Sequence, residues 1–332
     1  TGYTRAVLGG NLVVLLLYLN NAIFRGAGDP ALAMRTLMIA NGINVVLDPC
    51  LIFGLGPFPE LGVAGAGIAT LIGRTTGVGF QLWMLRSGAG RITLRGPAAR
   101  VEWPITKELV RLSLGGVGQL LIATASWVVL MRIVAPFGSE ALSGYTIAIR
   151  IVIFALMPAW GLANAAATLV GQNLGANQPE RAERSVWLTG LYNMAFMGAV
   201  TVLFLVLAPD LVEAFTQKPE THAIGVRALR TLACGYVFYA WGMVIAQAFN
   251  GAGDTLTPTW LNFFSFWCFQ IPLAWSLAGP FGFGPSGVFW AVCVSESVLA
   301  VSAVWLFRLG RWKNARIADD THVGAHPDRG AT

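Results

Sequence analysis

Residues 24–30 read FRGAGDP, and residues 249–255 read FNGAGDT, 225 positions later. Each stretch closes one long apolar run and opens another. The shared Gly-Ala-Gly-Asp suits a tight corner between two helices: Gly permits the turn, and Asp29 or Asp254 can cap the helix that follows. Pro30 sits where the first helical turn needs no N–H donor. Gly26, Gly28, Asp29, Gly251, Gly253 and Asp254 are therefore read as structural corners. Their recurrence marks a duplication, and the match extends outward. The same shift pairs Arg5 with Arg230, Gly10 with Gly235 and Phe24 with Phe249; after a three-residue gap, WMLRSG (83–88) meets WLFRLG (305–310).

The composition says which solvent surrounds these runs. Hydrophobic residues make up 55% of the 332 and charged residues 11%, with mean hydropathy +0.64. Soluble domains carry about 25% charged residues, so the expected solvent is a lipid bilayer and the fold class an all-α polytopic membrane protein. A crossing helix needs about 20 mostly apolar residues. Nine such spans are expected, near 4–24, 31–54, 62–85, 108–134, 142–170, 186–208, 227–249, 258–279 and 286–308. Gly and Pro cluster in connections such as GLGPFPELG and AGPFGFGPSG.

Lys and Arg orient the spans. One set of connections carries Arg25, Arg35, Arg86, Arg91, Arg95, Arg100, Lys107, Arg181 and Arg184, and the tail adds Arg308, Arg311, Lys313 and Arg316. The alternate set holds only Lys218. The positive-inside rule places both corners, the 86–107 connection and the C-terminus in the cytoplasm of a bacterial inner-membrane protein. The pI near 9.5 then reflects cytoplasmic loops, and no nucleic-acid partner is expected.

Six spans run from one corner to the next, and an even number returns the chain to the same side. The halves are thus parallel repeats, a recurrent transporter plan. Residues 1–86 form the remainder of an N-terminal lobe with three helices, 87–107 a cytoplasmic linker, 108–309 a six-helix C-terminal lobe, and 310–332 a cytoplasmic tail without ordered structure. If the halves match, roughly 115–120 residues and three helices lie upstream of Thr1, making a twelve-helix protein of about 450 residues.

An ionisable group inside a span is a functional candidate. Asn41, Asn44 and Asp48 are spaced to share one helix face. A carboxylate beside an amide oxygen can hold Na⁺, and a desolvated carboxylate can bind H⁺. The competing reading makes Asp48 a structural cap or pair before Pro49. Glu296, in CVSESVL, stands opposite Arg74 of IGRTTG at a shift of 222; both are read either as structural ion-pair members or as a second charged site. Arg150, in IAIRIVIF, suits a bond to backbone carbonyls or to an acid. Gln119, Ser126 and Trp127 are candidates to line a cavity. At shift 225 the second lobe places Phe269 and Leu273 where Asn44 and Asp48 stand.

Cys50, Cys234, Cys268 and Cys293 lie in apolar runs without disulfide or CxxC spacing. His222 lies in a connection, and His322 and His326 in the tail, which argues against a buried metal site. No HExxH, GxSxG or clustered acid–His set supports an enzyme, and no cofactor is expected.

FRGAGDP, NVVLD, LGVAGAGIAT (61–70), LVGQNLGANQPERA (169–182) and FNGAGDTLTP (249–258) together resemble the multidrug and toxic compound extrusion (MATE) family. The Asn-to-Asp spacing in NVVLD is most similar to the DinF-type branch. The resemblance covers the chain except its tail. It implies two six-helix lobes around a cavity that opens alternately inward and outward. It also implies export of amphipathic, often cationic small molecules in exchange for H⁺ or Na⁺, by a monomer. Similar transporters use the matching Asn44 and Asp48 in a first-lobe cation site, with Thr70 and Tyr3 as further polar lining residues. A first-helix aspartate, absent here, usually completes that site. Spans 108–134 and 227–249 lack the acids of the NorM-type branch, which puts a second-lobe sodium site of that kind in doubt. A lipid-linked oligosaccharide flippase of the same broad superfamily is the alternative, although its cavity would call for more cations than Arg74 and Arg150. A non-transporting membrane scaffold is also left open by the residues.

Overall fold

The computed structural model describes residues 9–88, 90–93 and 102–314. Tyr3, Arg5, Arg95 and Arg100 lie outside these residues. Helices dominate, and no strand occurs among the described residues. The chain divides into two compact units, Thr1–Val101 and Glu102–Thr332, and the division falls within the 87–107 connection.

In the first unit, α1 (Asn11–Gly26), α2 (Pro30–Phe53) and α3 (Val63–Ser87) follow one another. The second contains α4 (Trp103–Val134), α5 (Ser139–Gly175), α6 (Pro179–Glu213), α7 (Pro219–Cys234) and α8 (Tyr236–Gly251). After these come α9 (Leu256–Asn262), a π-helical stretch (Phe263–Gln270), α10 (Ile271–Ala278) and α11 (Pro285–Arg308). Large apolar side chains such as Val45, Trp83, Leu120, Val206 and Trp305 are exposed on these helices. Apolar surface of that extent is what lipid covers.

The duplication is visible in backbone detail. Gly28 and Gly253 have φ 81° and 84°, a left-handed conformation that suits glycine. The Asp29 and Asp254 amides donate to the Phe24 and Phe249 carbonyls at 2.9 and 3.0 Å, closing both helix ends alike. Asp29 Oδ1 accepts from the Leu32 amide at 3.2 Å. Asp254 accepts from the Thr257 amide at 3.0 Å and the Thr257 hydroxyl at 2.6 Å. Gly62 and Gly284 open α3 and α11 with φ 55° and 59°, matching at the 222 shift.

Because Asp254 satisfies two donors, Asp254→Ala is expected to cost more than Asp29→Ala, which should cost about 1 kcal/mol. Tm of the purified variants in detergent measures this; equal shifts would contradict it.

In lipid, helices associate through close packing, so small residues mark the contacts. Both units use one device at one repeat position. A Cβ on Gly65 would stand 2.6 Å from the Leu51 carbonyl carbon, and one on Gly287 would stand 2.6 Å from that of Leu277. In the second unit Ala163, Ala167, Gly171 and Gly175 form an i, i+4 row along α5, on which the end of α8 sits. A Cβ on Gly251 would meet the Ala167 Cα at 2.7 Å, and one on Gly171 the Gly251 carbonyl at 3.2 Å.

Several expectations are corrected. The span at 227–249 is two helices, α7 and α8, bent by 57° about Gly235. Gly235 donates to the Leu232 carbonyl, an i−3 bond that tightens the turn, and a Cβ there would crowd Cys293 Sγ at 3.1 Å. Its dihedrals (−83°, −10°) nearly repeat those of Gly10 (−87°, 1°), just before α1. The span at 258–279 carries the π-helical stretch, directly before Pro272, whose missing N–H interrupts the regular ladder. By length and mean hydropathy, five of the described helices qualify to cross a membrane, or six with the bent pair. The α3 helix is not among them, being diluted by glycines, threonines and Arg74, and α1 has only 16 residues. The tail is ordered at its start: Arg311–Asn314 form a 3₁₀ turn. Trp312 is buried there, stacked on Phe307 at 4.7 Å, and its indole donates to the Phe307 carbonyl. Lys313 pairs with Glu183.

Candidate coupling-ion site

In the first unit, glycines let α3 lie against α2. A Cβ on Gly73 would collide with the Ala40 carbonyl, and one on Gly77 would stand 3.2 Å from the Ala40 Cβ. This close crossing brings Thr70 within reach of a helix 26 residues away. Asn44 Nδ2 donates to Asp48 Oδ1 at 3.1 Å and to Thr70 Oγ1 at 3.2 Å. Asn44, Asp48 and Thr70 thus form one partly buried group, with the Asn44 carbonyl oxygen left over. Pro49 lies inside α2, so the Val45 carbonyl lacks its usual helical donor. Carboxylate, amide, hydroxyl and backbone oxygens are hard donors suited to an alkali cation, and the carboxylate also suits a proton.

Asn41, one turn earlier, is exposed and makes no side-chain hydrogen bond to this group. A second polar cluster lies nearby in sequence: the buried Gln81 joins Asn20 at 3.2 Å and Asn21 at 3.0 Å. Sequence reasoning missed it, because Asn20 and Asn21 are adjacent on α1 and nothing in their pattern points to Gln81.

The second unit is built differently. Gln119 does not stand free. Its Nε2 donates to Asn250 Oδ1 at 3.0 Å and to the Thr255 carbonyl at 3.1 Å, tying α4 to the second corner. Ser126 bonds back to the Ala123 carbonyl. Glu296, however, lines a cavity of about 50 Å³ with Trp127, Tyr236 and Tyr239. Neither Glu296 nor Arg74 has an ion-pair partner among the described residues, so the structural ion-pair reading of these two finds no support. Arg150 is exposed on α5. No group of three or more His, Cys, Asp or Glu that could hold a metal occurs among the described residues.

Comparison with known proteins now bears on these arrangements. The MatE family profile matches residues 117–276. A probable multidrug resistance protein NorM of Thermotoga maritima is 26% identical over 316 residues, covering 95% of this chain and 68% of the relative. A crystal structure of MATE in the bent conformation superposes with TM-score 0.85 at 25% identity, over 94% of this chain and 69% of that one.

The chain belongs to the MATE family.

It spans about two thirds of the length of the MATE relatives it matches. Another of these, 25% identical over 302 residues (90% of this chain, 66% of the relative), is an FAD transporter of Shewanella oneidensis. The profile match lies in the second unit, whereas the Asn44–Asp48–Thr70 group lies in the first. The cavity residues Tyr236 and Tyr239 also escaped the sequence reading. The signal that could have found them was the Gly10–Gly235 match: a glycine kept at one repeat position inside an apparent span marks a break, and a break opens space.

Proposed function

We propose that this MATE protein is an efflux antiporter that exchanges H⁺ or Na⁺ for amphipathic, often cationic compounds, with Asp48, Asn44 and Thr70 as its coupling group. The observation that carries this reading is the pair of hydrogen bonds from Asn44 to Asp48 and Thr70. They gather on two helices the oxygens a small cation needs. A cation arriving from outside binds Asp48 and favours the conformation that releases substrate outward; its loss to the cytoplasm resets the transporter. Coupling requires that the ion bind the two conformations with different affinity, and a group divided between α2 and α3 meets that condition if the two helices shift against each other. The basic connections place both corners and the C-terminus in the cytoplasm.

The test is ethidium efflux from cells, or uptake into inverted vesicles, carrying the complete protein under separately imposed H⁺ and Na⁺ gradients. Transport that follows one gradient names the ion, and transport indifferent to both overturns the coupling. The Shewanella relative favours a second reading, export of a flavin dinucleotide. Flavin accumulating in the medium without ethidium efflux would select it.

A further inference from the structure

The most unusual buried group in the second unit is Glu296. It sits mid-span on α11, and its Oε2 is fully buried with no hydrogen-bond partner among the described residues; the same holds for the Tyr236 hydroxyl. Both residues, with Tyr239, line the cavity that opens beside the bend at Gly235. Trp127 of α4, and Ile149 and Leu156 of α5, complete apolar walls. The groups facing Glu296 that can titrate are Tyr236 and Tyr239 of α8 and Cys293 of its own helix, with Cys234, the last residue of α7, beside Cys293. The lining residues of α4 and α5 carry no titratable side chain, and no Lys, Arg or His lines the cavity.

A carboxylate in such surroundings is costly without a counter-charge, because desolvation outweighs what neutral walls return. The cavity supplies none, yet at about 50 Å³ it exceeds the roughly 10–15 Å³ one water needs. It therefore has room for the missing charge and its hydration. A single carboxyl with two phenol oxygens matches one monovalent charge, not a divalent ion. The duplication supports this. The residues equivalent to Asn44, Asp48 and Thr70 are Phe269, Leu273 and Val292, all apolar, so the second unit has lost the first unit's donor set. Glu296 stands one turn beyond Val292 on α11 and, with Val292, lines the cavity shared with α8.

We infer that Glu296, with the Tyr236 and Tyr239 hydroxyls, forms a second cation-binding site, in the C-terminal unit, which takes one proton or one sodium ion. It stands independently of the role proposed for Asp48. Gly235 lines the same cavity, so the site sits where a change of bend between α7 and α8 would alter it.

The test is infrared difference spectroscopy of the complete protein in nanodiscs, between low and high pH in potassium buffer and then with NaCl added at fixed pH. The wild type is expected to show a carboxylic-acid C=O band that is lost on deprotonation, is absent from Glu296→Gln and persists in Asp48→Asn. A band that sodium removes at constant pH identifies a site shared by both ions; one that ignores sodium identifies a proton site. Glu296→Asp, expected to keep the band at a shifted frequency, serves if the Gln variant does not fold. Spectra of wild type and variant that coincide, or a wild type without an exchangeable carboxyl band, would overturn the inference. An Asp48→Asn variant that loses its own band while this one remains separates the two sites.

Discussion

Asp48→Asn abolishes ion-driven efflux while leaving the protein folded. The substitution keeps the size of the side chain and its ability to accept the Asn44 hydrogen bond, but removes the only carboxylate in the Asn44–Thr70 group. Export driven by either gradient should therefore fall to the background of cells lacking the protein. Asn44→Ala removes the donor to Asp48 and Thr70. A hydrogen bond to a charged group contributes about 1.5–3 kcal/mol, which corresponds to a loss of ion affinity of roughly 10- to 100-fold. The check is the gradient dependence of ethidium transport in both variants, beside expression and Tm. Full efflux in Asp48→Asn would remove this group from the mechanism.

Gly251→Leu is expected to have the largest effect on folding. The glycine ends α8 where it crosses α5, and a Cβ would stand 2.8 Å from the Ala167 carbonyl carbon and closer still to its oxygen. Those are backbone atoms and cannot turn aside, so the helices would have to separate along the row from Ala163 to Gly175. Overpacking of this kind costs about 1–3 kcal/mol or more, and here it also strains the corner that Gln119 clasps. The variant should be recovered poorly from membranes and elute as aggregate in detergent. Gly198→Ala is the control, because a Cβ there meets nothing within 4 Å; it should be recovered at the level of the wild type. Equal recovery of both would contradict the packing described.

What the sequence determined by itself was whatever repeats or stays local. The two Gly-Ala-Gly-Asp corners were legible because a left-handed backbone calls for glycine and a cap calls for a short acceptor, whatever lies around them. Apolar runs and the placement of Lys and Arg were enough for helices in a membrane, and i, i+3 and i+4 spacing was enough to put Asn44 and Asp48 on one face. The tertiary structure decided what one helix presents to another. The Asn44–Thr70 bond, the seating of Gln119 on Asn250, the bend at Gly235 and the cavity around Glu296 all depend on how far one helix slides and rotates against its neighbour. That register is set by backbone approach at residues such as Gly65, Gly73 and Gly251. A glycine in a sequence says that something can come close, and only the packed helices say what does.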